Sequence, residues 1–217
     1  MRSAASAADF PRDDLGEVAL VGRSNVGKSS LINALLRQRL ARTSGAPGKT
    51  RLVNIYRVAH GDGPSLYLVD LPGYGYARGG HDAAAQFEAL TREYFGRERA
   101  AAILLVDSRH PGLDADRAAW AWMHPAATEL AIVATKIDKL SRAERTRALT
   151  QLETAFENSV LPFSAVTGEG LDELWKLIDR LASSPKPPPR SSNPGRTAAP
   201  PPRPLRRLKR APRPPTR

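Results

Sequence analysis

One segment near the amino end constrains this chain more than any other feature, because it fills the pattern GxxxxGK[ST] between a strand and a helix. Residues 17–21 are a short apolar run typical of a buried strand, and residues 29–36 carry apolar side chains at helical spacing. Glycines in such a loop let successive backbone N–H groups turn inward around an anion. The sequence therefore predicts a phosphate-binding loop made of Gly22, Arg23, Ser24, Asn25, Val26, Gly27, Lys28, Ser29 and Ser30.

Two side chains of this loop have defined roles in segments of its type. The Lys28 ammonium group is expected to lie against the β- and γ-phosphate oxygens of a nucleoside triphosphate, and the Ser29 hydroxyl is expected to ligate Mg²⁺. A chance match to the pattern is the alternative. The loop alone does not choose between ATP and GTP.

A second motif begins where another strand-like run ends, at Asp70-Leu71-Pro72-Gly73. A carboxylate at the carboxyl end of a buried strand is where a P-loop enzyme holds Mg²⁺, usually through water. The backbone N–H of Gly73 can reach a γ-phosphate. An ordinary strand-to-turn segment is the alternative.

The tetrapeptide Thr135-Lys136-Ile137-Asp138 favours guanine over adenine. The Asp138 carboxylate can accept hydrogen bonds from both N1–H and the N2 amino group of guanine, and adenine lacks this pair of donors. The stem of Lys136 can cover the face of the base. A site that loses such a buried pair discriminates by roughly 10⁴ or more, so the tetrapeptide predicts GTP rather than ATP.

A third segment, Phe163-Ser164-Ala165, follows another apolar run. It can present the Ala165 N–H to guanine O6, although Ser-Ala after a strand is a weak signal by itself. Its order behind the other motifs supports the functional interpretation.

The connection between the phosphate loop and Asp70 is rich in glycine, proline and serine and contains Gly48-Lys49-Thr50. By composition it is a mobile segment, and Thr50 is the predicted second Mg²⁺ hydroxyl, which closes only when a γ-phosphate is present. A plain surface loop is the alternative. The predicted metal ligands are therefore Ser29, Thr50 and Asp70.

The chain resembles the EngB group of bacterial ribosome-assembly GTPases over about residues 10–182. The resemblance rests on GRSNVGKSSLINALL, PGKTR, LVDLPGYGYA, LLVDSRH, TKIDKL and FSAVTGEG. It implies a Ras-like fold, binding of GTP or GDP with Mg²⁺, slow hydrolysis, and a role in maturation of the large ribosomal subunit and in cell division. The implied partners are the pre-ribosomal large subunit and its rRNA.

The catalytic residues stay open, with Thr50, Gly73 and Asn25 as candidates. Tyr74 stands where a Ras-type site has a glutamine that positions water, so its predicted role is packing or switching. In several GTPases that this chain resembles, an asparagine placed like Asn25 holds K⁺ against the phosphates. K⁺ activation is therefore one hypothesis, and bracing of the loop by the Asn25 side chain is the other.

The positive charge of the chain is concentrated in its last 35 residues. Residues 183–217 contain twelve prolines, ten Lys or Arg residues and no acidic residue, so residues 1–182 hold 23 basic against 22 acidic residues. Such a segment is expected to be extended and disordered. It is expected either to contact RNA phosphates in a salt-sensitive manner or to be a solvated extension without a dedicated partner. A third, less favoured interpretation is a proline-rich ligand for a recognition domain. The segment is not part of the family pattern.

Composition also limits the compartment. The chain has no cysteine, which excludes disulfides and thiolate metal sites and fits a reducing environment. The longest apolar run, residues 100–106, is far shorter than the roughly twenty residues that span a bilayer. The expectation is a cytoplasmic monomer without a membrane partner.

The alternation of strand and helix patterns predicts an α/β fold: a Ras-like, mostly parallel six-stranded sheet with one antiparallel strand and helices on both faces. An extension is predicted at residues 1–16, a GTPase domain at 17–182 and the tail at 183–217. Strands are predicted near 17–21, 51–58, 65–70, 101–106, 130–135 and 160–163, and helices near 28–37, 81–95, 113–123, 141–157 and 170–182.

Two function classes follow. The first is a GTP-driven switch that binds a pre-ribosomal particle and leaves it after hydrolysis or exchange. The second is an RNA-binding adaptor whose nucleotide site is mainly structural. A P-loop kinase or ATPase is disfavoured by Asp138.

Overall fold

The chain forms one seven-stranded sheet, mostly from its apolar runs, in the computed structural model of the protein, which describes residues 2–4, 9–11, 13–41, 53–74, 91–96 and 100–183. The strands are β1 (Arg2–Ala4), β2 (Gly16–Gly22), β3 (Val53–Val58), β4 (Leu66–Asp70), β5 (Ala100–Asp107), β6 (Leu130–Thr135) and β7 (Val160–Pro162). Across the sheet they follow the order β1-β3-β4-β2-β5-β6-β7.

The sheet is mostly parallel. Strands β4, β2, β5, β6 and β7 pair in parallel, and β3 pairs antiparallel with β4, as the Gly-Asp-Gly-Pro connection between them predicts. The sheet has one strand more than the predicted six, because β1 pairs antiparallel with the outer edge of β3, with Arg2 opposite Ile55. Part of the predicted amino-terminal extension therefore belongs to the sheet.

Four α-helices and one short 3₁₀ turn lie wholly within the described ranges, and the fourth of these helices follows the last strand. They are α1 (Lys28–Leu36), α2 (Asp114–Met123), the 3₁₀ turn (Ile137–Lys139), α3 (Arg142–Phe156) and α4 (Leu171–Ser183). Residues 91–95 are also helical, and the rest of the predicted 81–95 helix lies outside the described residues. Helix α3 begins with a capping box, in which Ser141 and Glu144 bond each other's backbone N–H groups.

Helices cover both faces of the sheet, as predicted. Strand β2 alternates its side chains between them: Val18 and Leu20 belong to one buried cluster, and Ala19 and Val21 belong to the other. The first cluster contains apolar residues of α1 and α4, among them Leu31, Ile32, Leu35, Leu174, Ile178 and Leu181, and the second contains Ala119, Trp122, Met123, Leu152 and Phe156 of α2 and α3. Each large buried side chain contributes about 1.5–3 kcal/mol to folding.

This topology gathers the ends of four parallel strands at one edge of the sheet. Gly22, Asp70, Asp107 and Thr135 are the last residues of β2, β4, β5 and β6. The carboxyl ends of parallel strands are where open α/β sheets bind ligands. Among the helices of the described ranges, none is long and apolar enough to cross a membrane.

Candidate active site

The predicted phosphate loop lies between β2 and α1, and two of its glycines have structural reasons. At Gly22 a Cβ would lie 2.9 Å from Val26 Cγ1 and 3.0 Å from the Leu105 carbonyl oxygen. Gly27 has a φ of 112°, a left-handed conformation that favours glycine, immediately before α1 begins at Lys28. Larger side chains at either position would disturb the entry of the chain into the helix.

The segment after β4 contacts this loop directly. The Tyr74 N–H donates to the Gly22 carbonyl oxygen at 3.2 Å, and the Ser24 N–H donates to the Tyr74 carbonyl oxygen at 3.2 Å. At Gly73 a Cβ would lie 2.9 Å from the Ser24 backbone nitrogen. The structure thus brings together the two segments that the sequence predicts to bind phosphate, and Gly73 permits their close approach.

Lys28 and Asp70 form a buried ion pair at the centre of the site. Lys28 Nζ donates to Asp70 Oδ1 at 2.6 Å, and the two side chains are 10% and 4% exposed. The carboxylate thus neutralises the lysine in a region of low dielectric. A phosphate group offers the same lysine another anionic partner, so the pair can open when a nucleotide binds.

The hard oxygen donors that Mg²⁺ requires are present beside this pair. The buried Asp70 carboxylate ends β4, and half-buried Ser29 lies in the first turn of α1, directly after Lys28. Hydroxyl and carboxylate oxygens, completed by phosphate and water, are the ligand set that Mg²⁺ prefers. Within the described residues, no group of three or more His, Cys, Asp or Glu side chains could hold a metal. Asp70 and Ser29 would therefore hold Mg²⁺ together with oxygens of a bound phosphate and of water.

The guanine motif and the loop at Ser164 also meet. Ser164 Oγ donates to Asp138 Oδ1 at 2.7 Å and accepts from the N–H groups of Val166 and Thr167, each at 3.2 Å. The bond from Ser164, together with a bond and the charge of Lys139, lowers the pKa of Asp138. The carboxylate is therefore ionised at neutral pH and able to accept a donor pair such as that of guanine.

Two residues of the guanine motif bond to the phosphate loop. Thr135 Oγ1 donates to the Val26 carbonyl oxygen at 2.6 Å, and Lys136 Nζ donates to the Asn25 carbonyl oxygen at 2.5 Å. Lys136 adopts a left-handed φ of 61°, as does Asn25 at 64°. The two ends of the predicted ligand site are therefore linked by direct hydrogen bonds.

Comparison with known proteins agrees with this geometry. The model of a family described as 50S ribosome-binding GTPase matches residues 17–136, more than half of the chain. A probable GTP-binding protein EngB of Chlorobaculum parvum is 42% identical over 175 residues, which are 78% of this chain and 89% of that protein. The chain belongs to the EngB family of GTP-binding proteins. The EngB resemblance predicted from the motifs is confirmed, and the protein is a GTPase.

Two solved structures share the fold of this EngB-family chain. A probable GTP-binding protein engB has a TM-score of 0.57 at 20% identity, with 76% of this chain and 98% of that chain covered. Era in complex with MgGDPNP and nucleotides 1506-1542 of 16S ribosomal RNA has a TM-score of 0.68 at 24% identity, with 79% and 58% covered. The predicted Ras-like fold class is thereby confirmed.

Sequence reasoning missed the role of Asp107 in this EngB-family site. Asp107 ends β5 and is 3% exposed, and it accepts hydrogen bonds from Lys136 Nζ at 2.9 Å and from Arg109 Nη2 at 2.7 Å. Burial by itself raises the pKa of Asp107, but these hydrogen bonds outweigh it and hold the pKa well below the ordinary value. An aspartate directly after a buried apolar strand, as at Asp70, was the signal that could have identified it.

A second missed residue is Asp116 on α2, which is fully buried. The Tyr74 hydroxyl donates to Asp116 Oδ1 at 2.7 Å, and Arg23 Nε lies 3.1 Å from the same oxygen. Burial and the neighbouring Asp116 charge raise the pKa of Tyr74, so its hydroxyl stays protonated. Tyr74 is thus a buried residue of the core, as the packing hypothesis expects, and not a water-positioning side chain.

Some predicted residues cannot be placed in the EngB-family site. Gly48, Lys49 and Thr50 lie outside the described residues, as does the tail beyond Ser183. Of the predicted guanine-loop residues, Phe163 and Ser164 are buried and Ala165 is half-buried. Leu71, Pro72 and Ile137 are buried beside the motif residues and serve as packing.

Proposed function

We propose that this GTPase is a conformational switch in the assembly of the large ribosomal subunit, with a further role in cell division, and that its intrinsic hydrolysis is slow. The family description names 50S ribosome binding, which supports the choice of particle. The observation that carries the switch is the contact of Gly73 and Tyr74 with the phosphate loop at Gly22 and Ser24. A third phosphate that binds at this contact would move Gly73 and Tyr74, and with them the segment that follows Tyr74 in the sequence.

The roles of the residues follow from their positions. Lys28 exchanges its partner Asp70 for the phosphate oxygens of GTP. Asp138 accepts hydrogen bonds from the guanine base, and the Ser164 hydroxyl holds the Asp138 carboxylate in place by donating to its Oδ1. Ser29 and Asp70, together with Thr50, would hold Mg²⁺, which neutralises charge that develops on the phosphates. Thr50 and the metal are proposals from motif chemistry and family membership.

Slow hydrolysis is the expected consequence of Tyr74. Its hydroxyl is engaged by Asp116 and its ring is buried, so this side chain has no group to orient a water molecule. The stabilisation of charge in the transition state must then come from another group. We propose K⁺ held near Asn25 for this role, with an activating surface of the ribosomal particle as the competing source.

The Pro- and Arg-rich residues 183–217 are proposed to bind rRNA phosphates. Ten positive charges without an acidic residue support this, because each phosphate contact releases counterions and makes binding dependent on salt. Deletion of residues 184–217 should then weaken particle binding and reduce its salt slope. An unchanged slope would make the segment a spacer. From the proposed role in ribosome assembly we further propose that the protein acts in the cytoplasm as a monomer.

Nucleotide-dependent binding tests the switch. Purified protein should bind immature large-subunit particles at least tenfold more tightly with a non-hydrolysable GTP analogue than with GDP, measured by co-sedimentation at one fixed salt concentration. The matched control is Asp138→Asn, which should lose the GTP response and gain one to the xanthosine analogue. Equal binding with the analogue, with GDP and without nucleotide would support the RNA-binding adaptor instead.

A further inference from the structure

Three side chains that are far apart in the sequence meet beside the phosphate loop, and we name them the Arg23–Asp116–Tyr74 cluster. Asp116 Oδ1 accepts the Tyr74 hydroxyl at 2.7 Å and lies 3.1 Å from Arg23 Nε. Arg23 belongs to the phosphate loop, Tyr74 follows Gly73, and Asp116 lies in α2. The cluster therefore joins both phosphate-binding segments to a helix of the core.

The burial of Asp116 is not explained by stability. Its side chain is 1% exposed, and its second oxygen, Oδ2, is buried without a hydrogen-bond partner in the described part of the chain. Burial raises the pKa of Asp116, although the Tyr74 hydroxyl and the Arg23 charge oppose the shift. Apolar residues of similar volume often replace a buried ion pair at no loss of stability, or with a gain. A carboxylate at this position therefore points to a task beyond packing.

The backbone contacts around the cluster indicate that task. The Tyr74 N–H donates to the Gly22 carbonyl oxygen, and the Tyr74 carbonyl oxygen accepts from the Ser24 N–H. Together with the bond from its hydroxyl to Asp116, three hydrogen bonds fix the position of Tyr74. Gly73 precedes it and touches the loop so closely that a Cβ would lie 3.1 Å from Ser24 Oγ. Any rotation of Tyr74 about its backbone would move Gly73 away from the loop.

We propose that Asp116 and Tyr74 are positioning residues for GTP hydrolysis, which hold Gly73 against the phosphate loop in the geometry that recognises a third phosphate. This inference rests on the GTPase activity and adds two residues that need not touch the nucleotide. GDP has no third phosphate, so its binding depends on the loop and on the guanine motif. Asp116 and Tyr74 therefore act on the recognition and hydrolysis of GTP and leave GDP affinity unchanged.

The first test is Tyr74→Phe, which removes one oxygen atom and keeps the ring. We expect the single-turnover rate of GTP hydrolysis and the affinity for a non-hydrolysable GTP analogue to fall about tenfold, the effect of one lost charge-assisted hydrogen bond. GDP affinity should stay within about twofold, since the contacts to its two phosphates are retained. Tyr94→Phe is the matched control, because the Tyr94 hydroxyl also donates to a buried carboxylate, Glu17, at 3.2 Å but outside the site. The control should leave both nucleotide affinities and the rate unchanged.

The second test separates positioning from the penalty of an orphaned carboxylate. In the double variant Tyr74→Phe/Asp116→Leu both ends of the Tyr74–Asp116 hydrogen bond are replaced by apolar groups, and the Arg23 side chain, which is 28% exposed, keeps access to solvent for its charge, so thermal stability should lie close to that of the wild type. Its hydrolysis rate should stay as low as that of Tyr74→Phe alone, because the positioning bond is absent in both.

Four outcomes overturn the inference. Parallel losses of GDP and GTP-analogue affinity in Tyr74→Phe would indicate a purely structural role. An unchanged hydrolysis rate and unchanged affinities in this variant would show that the Tyr74 hydroxyl has no role. Faster hydrolysis would show that the cluster restrains the site. A double variant that recovers the wild-type rate would assign the effect to the buried carboxylate itself. Thermal melts on each variant establish that it is folded before its nucleotide affinities are compared.

Discussion

The ammonium group of Lys136 lies 2.5 Å from the backbone carbonyl oxygen of Asn25, and this contact makes the guanine motif and the phosphate loop one unit. Asp107 stabilises this contact, because its carboxylate accepts a hydrogen bond from the same ammonium group at 2.9 Å. A change at the guanine end of the site should therefore alter nucleotide affinity at the phosphate end, and the reverse.

Asp107→Asn should weaken GDP and GTP binding by the same factor, about 10- to 100-fold, because Lys136 loses its charged partner and no longer holds the loop at Asn25. Isothermal titration with both nucleotides measures the effect. Asp62→Asn in the exposed β3–β4 turn is the control and should change neither affinity. A loss confined to GTP would contradict the prediction, since the third phosphate has no special relation to Asp107.

Asp138→Asn should shift the base preference from guanine towards xanthine. The amide nitrogen donates where the carboxylate oxygen accepts, so it meets the xanthine carbonyl and opposes the guanine amino group. The Ser164 hydroxyl can rotate and still bond the remaining oxygen, so the loop should keep its structure. Competition between GTP and XTP should show roughly a 10³-fold or larger change in relative affinity. Equal preference before and after substitution would remove the guanine assignment.

The strands and the motif residues were predictable because their signals are local. Residues 18–21 and 101–106 are unbroken apolar runs, as strands buried on both faces require. Strand β1 was missed because Arg2–Ala4 has no apolar pattern of its own and depends on pairing with β3. The contacts of Asp107 with Lys136 and of Asp116 with Tyr74 were also missed, since these partners lie 29 and 42 residues away and are brought together by the topology.

Lys28→Met should abolish nucleotide binding and also destabilise the protein without nucleotide. The substitution leaves Asp70 as a buried charge without its partner, and breaking a buried pair in this way costs about 3–5 kcal/mol. Urea unfolding of the nucleotide-free protein measures this loss. The double variant Lys28→Met/Asp70→Asn should regain most of the stability and none of the binding. If the single variant is as stable as the wild type, the ion pair does not contribute to the fold.

Hydrolysis should be faster in KCl than in NaCl at equal ionic strength if K⁺ binds beside Asn25. Asn25→Gly is the informative variant, because glycine also adopts the left-handed φ of 64° and keeps the carbonyl that Lys136 contacts. The substitution removes the whole side chain with its amide oxygen and keeps the backbone, so the difference between the two salts should vanish while GDP affinity is retained. Equal wild-type rates in both salts would leave activation to the ribosomal particle.

The stabilising effect of Asp107 should disappear in acid. Its folded pKa lies below the ordinary value of 3.8, so between these two values the unfolded chain binds more protons than the folded one, and stability rises with pH. The contribution is therefore complete above the ordinary value and is lost as the pH falls through the folded pKa. Relative to Asp107→Asn, the wild type should lose roughly 1 kcal/mol of its advantage in unfolding free energy between pH 6 and pH 3, as measured by urea titrations, because over this range the unfolded carboxyl binds a proton and the folded one hardly does. Arg109 and Lys136 are partly exposed, so screening by solvent limits the size of this advantage. A difference that stays constant over this range would mean that the carboxylate gains nothing from its two partners.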